Sequence, residues 1–127
     1  MIIDKDSLIV EGLNLGPFIL EAKISFNKIW ASDTGRNLAG TYSGTLIGIF
    51  PKIIVQFRKL TKSEVELIVP ILDKATQETQ YYDPNKKQKT IMSTYTGDYE
   101  LSNKNIIDEL TKVEGFSISF ISRKKRS

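Results

Sequence analysis

Residues 51–65 read PKIIVQFRKLTKSEV, and in this stretch a strand pattern passes directly into a helix start. Ile53, Val55 and Phe57 alternate with mostly polar or charged neighbours, which is the period-two pattern of a half-buried β-strand. The pattern ends before Leu60, so the strand is predicted to cover residues 51–59.

A helix is predicted to begin at Lys62. Thr61 can cap its first turn, and Glu64 can complete a capping box three residues later. The apolar positions that follow are spaced as one helix face lying on a sheet: Val65, Ile68, Val69 and Leu72. Pro70 lacks an N–H and costs about 3 kcal/mol in a helix interior. We therefore expect a kink or an early end there, within a helix of about residues 62–74.

A long hairpin is predicted to precede the helix. In residues 18–30, apolar and polar side chains alternate up to Trp30. This pattern predicts a second strand, which pairs with the strand at residues 51–59. The connection at residues 32–48 reads SDTGRNLAGTYSGTLIG and holds half of the eight glycines. Connections longer than about 12–15 residues are usually functional or disordered. We therefore expect a protruding hairpin with its tip at about residues 31–48.

The chain after the helix also has strand character. Residues 81–83 lead into a turn, with Asp83 and Pro84 at its first two positions, and residues 89–97 return as the partner strand. A polar connection precedes a closing strand at residues 116–121. The predicted fold is mostly β with one packed α-helix: an antiparallel β-sandwich or open barrel with a long protruding hairpin.

Length and composition limit the classes of function that this chain can have. The 127 residues predict a single domain, residues 1–127, of ordinary soluble composition, with 40% hydrophobic and 26% charged residues. The chain has no cysteine and no histidine, which excludes disulfides, thiolate or imidazole metal sites and Ser-His-Asp catalysis. We expect no enzyme activity, no metal and no cofactor.

The net charge of +3 comes largely from the C-terminus, where four consecutive residues are basic: Arg123, Lys124, Lys125 and Arg126. Only Ser122 separates them from the last apolar position, so we expect a solvated tail that contributes little to the fold and at most steers assembly. The alternative is a contact with a partner or with nucleic-acid phosphate. Neither a signal peptide nor a membrane span is recognised, which predicts a protein made and kept in the cytosol unless an assembly carries it out.

The candidate partner-binding residues lie in the hairpin tip and in the basic tail. Aromatic and arginine side chains are enriched at interface centres, and Trp30 ends a strand immediately before the glycine-rich connection. The remaining hairpin candidates are Asp33, Arg36, Asn37, Leu38 and Tyr42. Two other classes stay open: a small nucleic-acid-binding β-barrel that uses tyrosines and the basic tail, and, less favoured, a carboxylate glycosidase.

Three motifs, of which the first has been described above, follow one another along the chain. The strand and helix start at residues 53–65 are followed by Tyr81-Tyr82-Asp83-Pro84 and by Tyr95-Thr96-Gly97-Asp98. This succession resembles an uncharacterised family of small tail-module proteins in phages and prophages of Gram-positive bacteria. The family pattern has an aliphatic strand, an L-[ST]-x-x-[DE] helix start, a Y-x-D-P turn and a Y-x-G-D strand. The resemblance is clearest over residues 52–97.

The resemblance implies a structural subunit of a phage tail, of the distal-tail or baseplate-hub type, with a tail-tube or tail-terminator role as the nearest alternative. It implies a homo-oligomeric ring, expected to be a hexamer, in which sheets join into a continuous inner barrel. The implied partners are other tail proteins: the tube, the tape measure and the tail-associated hub. Assembly would occur in the host cytoplasm and the product would reside in the virion tail, without membrane or direct DNA contact.

Overall fold

The computed structural model describes residues 1–31 and 44–126, together with the backbone of two short strands between them. In chain order the elements are β1 (Ile9–Val10), β2 (Leu13–Asn14), β3 (Ile19–Trp30), β4 (Gly35–Arg36), β5 (Tyr42–Ser43), β6 (Leu46–Phe57), α1 (Lys62–Leu72), β7 (Gln77–Asp83), β8 (Gln88–Thr96) and β9 (Ser117–Ser122).

Seven of these strands form one antiparallel sheet in the order β2-β1-β7-β8-β9-β6-β3. The sheet is not closed into a barrel. The predicted class, mostly β with one packed helix and a long hairpin, is confirmed. The prediction allowed a β-sandwich or an open barrel, and the seven strands form one open antiparallel sheet.

One face of the sheet carries the core. Strict alternation along β6 buries Ile53, Val55 and Phe57, and their neighbours on β9, Ile118 and Phe120, are buried with them. The helix lies on the same core through Ile68 and Leu72. These side chains belong to one buried hydrophobic cluster, and its removal from water favours the folded state.

The capping box predicted at the helix start is present. The Thr61 side chain accepts a hydrogen bond from the Glu64 amide, and the Glu64 carboxylate accepts one from the Thr61 amide. The helix continues through Pro70 and ends at Leu72, two residues beyond the proline. Its C-terminus is held to the sheet by the buried Gln77, whose side-chain amide donates to the carbonyls of Ile71 and Lys74.

The turn after β7 begins where the sequence predicts it, since β7 ends at Asp83 and Pro84 follows. Four residues separate β7 from β8, and the Lys87 amide donates to the Asp83 carbonyl at 2.8 Å. Lys87 has a φ of 56°, the left-handed conformation that brings the chain back into β8.

Candidate assembly surface

The hairpin formed by β3 and β6 extends past the rest of the sheet. The two strands pair from Ile19 with Phe57 to Trp30 with Leu46, whereas β9 pairs with β6 only over residues 52–56. We call residues 27–30 and 46–50 the hairpin stem. Its exposed apolar side chains are Ile29, Trp30, Leu46 and Ile47. On β6 the stem begins at Leu46. Residues 46–48, which were predicted to belong to the hairpin tip, are therefore part of a strand.

The predicted tip residues are placed only in part. The backbone of Arg36 pairs with that of Tyr42 in the β4–β5 ladder, but their side chains lie outside the described residues. Asp33, Asn37 and Leu38 also lie outside the described residues. Trp30 is described at the end of β3, with 38% of its surface exposed.

The outer edge of β3 is a second feature of this surface. β3 is the last strand of the sheet, and among the described residues no strand pairs with its second edge. The N–H and C=O groups that this twelve-residue strand directs outward can therefore pair with another chain. Lys23 and Lys28 are partly or fully exposed along it, which is the usual protection of an edge strand against indiscriminate association.

The basic tail is only in part the solvated segment expected from the sequence. The Arg126 amide donates to the Ile49 carbonyl at 2.7 Å, and the Arg123 amide donates to the Ser93 carbonyl at 2.9 Å. The Arg126 guanidinium also lies over the ring of Phe26, 5.0 Å from its centroid. The tail is thus fixed against the base of the hairpin stem, and the expectation is wrong above all for Arg126. Arg123 and its two lysine neighbours remain exposed.

Asp83 supplies the anchor for Arg126. The carboxylate is fully buried, and its Oδ1 lies 3.3 Å from Nη1 of Arg126 and accepts the Asn85 amide at 2.9 Å. Its Oδ2 is buried and has no hydrogen-bond partner among the described residues. Burial, reinforced by the nearby Asp83 carboxylate, raises the pKa of Tyr81 to about 12. Asp83 thus has a second role beside the turn predicted from the sequence, since it is the buried partner of the tail.

A second exposed apolar surface lies in the connection between β8 and β9. Three aliphatic side chains in this connection are almost fully exposed: Ile106 (82%), Ile107 (92%) and Leu110 (90%). We call residues 97–115 the apolar loop. The composition of this segment predicts a polar connection, and only its three aliphatic residues among polar neighbours signal a contact surface.

Hydrogen bonds hold the apolar loop in one shape. The Glu114 amide donates to the Ser102 carbonyl at 2.8 Å, and Val113 forms a bridge with Leu60 next to the helix start. The Tyr99 hydroxyl donates to Asp73 at the helix C-terminus, at 2.6 Å, and this bond raises the pKa of Tyr99 to about 12. The loop follows β8 away from the hairpin stem, as the registers of β8, β9 and β6 require. The two apolar surfaces therefore lie towards opposite ends of the strands.

The described residues contain no group of three or more acidic side chains arranged to hold a metal ion. The helix found in the described part of the chain is too short to cross a membrane.

Comparison of the chain with protein-family models gives no match, and comparison with curated proteins gives none either.

Proposed function

We propose that this chain is a structural, non-enzymatic subunit of a phage or phage-derived tail that assembles with copies of itself into a ring. The observation that carries the proposal is the hairpin stem, which leaves the sheet while exposing Ile29 and Ile47 beside an unpaired edge of β3. A monomer gains nothing from exposed aliphatic side chains on a projecting hairpin. A second copy would remove them from water, at roughly 25 cal/mol per Å² of apolar area.

The arrangement of the two apolar surfaces favours a head-to-tail contact. The hairpin stem and the apolar loop are different surfaces towards opposite ends of the strands. Joining unlike surfaces gives heterologous interfaces, which produce closed rings when the rotation between copies closes.

The sequence resemblance to tail-module proteins gives the ring its proposed place, in the distal tail or baseplate hub of the virion. A tail-tube or tail-terminator ring uses the same contacts and is the nearest alternative. The six-copy ring and the tube, tape-measure and hub partners come from the same resemblance and belong to the same proposal.

The experiment compares the association of three proteins by sedimentation velocity. Ile47→Asp places a charge on the hairpin stem, and Leu67→Asp places the same charge at an equally exposed aliphatic position on the helix. We expect the wild type and Leu67→Asp to form the same oligomer, with Ile47→Asp associating at least about tenfold more weakly, a loss of roughly 1.4 kcal/mol or more. Equal association of Ile47→Asp and wild type, with both folded, would contradict the proposed contact.

A further inference from the structure

The two apolar surfaces carry charges of opposite sign. The apolar loop contains five acidic residues and two basic ones. The hairpin stem together with the basic tail, residues 123–126, contains five basic residues and no acidic one. The loop and the stem lie towards opposite ends of the strands. Acidic and basic residues are therefore separated along the length of the sheet.

Most carboxylates of the apolar loop have no cation beside them. Glu114 forms an ion pair with Lys59 at 3.8 Å. The other four acidic residues are exposed, and none forms an ion pair with a described residue: Asp98, Glu100, Asp108 and Glu109. Two of these four stand between Ile107 and Leu110 in the sequence. Negative charge thus borders the exposed aliphatic side chains of the loop.

Positive charge borders the hairpin stem in the same way. Lys28 is exposed within the stem. The basic tail is fixed beside it, because the Arg126 amide bonds to the Ile49 carbonyl. The buried Asp83 carboxylate offsets the charge of Arg126. The charges of Lys28 and of residues 123–125 remain at this end of the domain, and none of these residues forms an ion pair with a described residue.

These exposed charges act beyond hydrogen-bond distance. At physiological ionic strength, screening reduces the interaction between exposed charges over about 8 Å. The effect on a partner therefore depends on the end of the domain at which a residue lies, and the backbone determines that end. The backbones of the stem, the tail and the loop are held by the β3–β6 ladder, the Arg126–Ile49 bond and the Leu60–Val113 bridge.

The distribution of charge distinguishes three ways in which two copies could meet. A stem against a stem would bring basic residues together, and a loop against a loop would bring carboxylates together. Like charges that face each other oppose association, whereas opposite charges favour it and fix the register of an interface. Of the three contacts, the one between a loop and a stem joins opposite charges around two apolar centres.

We infer that the apolar loop of one copy binds the hairpin stem of the next, and that the opposite charges of the two surfaces select this contact over stem–stem and loop–loop contacts. The inference rests on the proposed self-association and adds the residues that determine which surfaces meet. The apolar side chains supply affinity, and the charges supply selection. Because the contact joins unlike surfaces, it can repeat in one direction around a ring.

The test reverses the charges of one surface, of the other, and of both. The loop variant replaces three carboxylates with lysine: Asp98→Lys, Glu100→Lys and Glu109→Lys. The stem variant replaces three lysines with glutamate: Lys28→Glu, Lys124→Glu and Lys125→Glu. All six side chains are exposed, and none forms a hydrogen bond or ion pair with a described residue. The full reversal carries all six substitutions and keeps the net charge of +3 of the wild type, which makes it the matched control.

Circular dichroism and thermal unfolding establish that each variant is folded, and sedimentation velocity at about 0.1 M salt measures association. We expect the loop variant and the stem variant each to associate at least about tenfold more weakly than the wild type. The full reversal should associate more tightly than either, because its loop is basic and its stem acidic. An equimolar mixture of the loop and stem variants should also associate more tightly than either alone. At about 0.5 M salt these differences should shrink.

The outcomes separate this inference from the proposed function. Loop and stem variants that associate as the wild type does would overturn the inference and leave the proposed self-association standing. A full reversal that associates no more tightly than the loop and stem variants would do the same. A wild type that stays monomeric at every concentration would overturn the self-association and this inference together.

Discussion

Arg126 and Asp83, 43 residues apart in the chain, form an ion pair in which the carboxylate is fully buried and the arginine side chain is 13% exposed. This contact closes the C-terminus onto the turn between β7 and β8. It also places the tail beside the hairpin stem, since Arg126 bonds through its amide to Ile49. The tail is therefore part of the folded domain.

Arg126→Ala should cost about 3 kcal/mol or more of unfolding free energy, because it leaves the Asp83 carboxylate buried without its cation. Lys124→Ala, at an exposed position of the same tail, should change stability by less than about 0.5 kcal/mol. Adding Asp83→Asn to Arg126→Ala should recover part of the loss by removing the buried charge. Urea denaturation of the four proteins measures these differences. A loss in Arg126→Ala no greater than in Lys124→Ala would show that the pair does not stabilise the fold.

Gly48→Ala should loosen the tail from the hairpin stem. A Cβ at this position would lie 2.6 Å from Cβ of Lys125, closer than packed carbon atoms approach. Overpacking of this kind costs typically about 1–3 kcal/mol. Gly97→Ala is the control, since nothing lies within 4 Å of a Cβ there. Hydrogen exchange should accelerate at the Arg126 amide in Gly48→Ala and stay unchanged in Gly97→Ala; equal protection in both variants would contradict the contact.

Stability should fall in acid through Glu64. Its hydrogen bonds with the Arg58 side chain and the Thr61 amide lower its pKa from 4.5 to about 2 in the folded chain. Because the folded state favours the charged form, this contribution is complete above about pH 4.5 and disappears as the pH falls towards 2. Thermal unfolding across this window should show a smaller decrease in Glu64→Gln than in the wild type. Parallel decreases would mean that other carboxylates govern acid stability.

Tyrosine titration reports the attachment of the apolar loop to the helix. The bond to Asp73 favours the protonated phenol and raises the pKa of Tyr99 from 10.0 to about 12, so its contribution to stability is present below pH 10 and is lost as the pH rises towards 12. Absorbance titration of Asp73→Asn should show one tyrosine ionising at lower pH than in the wild type. Tyr99→Phe identifies that residue, and an unchanged titration in Asp73→Asn would exclude the bond.

Local patterns predicted the parts of the fold that depend on neighbouring residues. The Thr61–Glu64 capping box and the alternation of Ile53, Val55 and Phe57 are properties of a few consecutive positions, and both were confirmed. The pairing of Arg126 with Asp83 could not be predicted, because it depends on the turn after β7 meeting the chain end in three dimensions. The sequence does not show that contact, and four consecutive basic residues at a chain end have the pattern of a solvated tail.

The candidate surface was predicted in outline. The long hairpin and Trp30 at its end follow from the strand pattern and the glycine-rich connection. The exposure of Ile106, Ile107 and Leu110 did not follow, because three aliphatic residues in a connection read equally well as a buried anchor. These three side chains face water because the sheet leads this connection away from the core, and the sequence does not show that direction.

The most direct test of the proposed assembly is the molar mass of the wild-type protein, measured by light scattering during size-exclusion chromatography over a range of concentrations. A ring of six copies has six times the 14.4 kDa of the chain, about 86 kDa. Contacts made by apolar side chains and strand edges should keep this mass at about 0.5 M salt, where binding through phosphate contacts weakens steeply. A mass that stays at 14.4 kDa at every concentration would contradict the account.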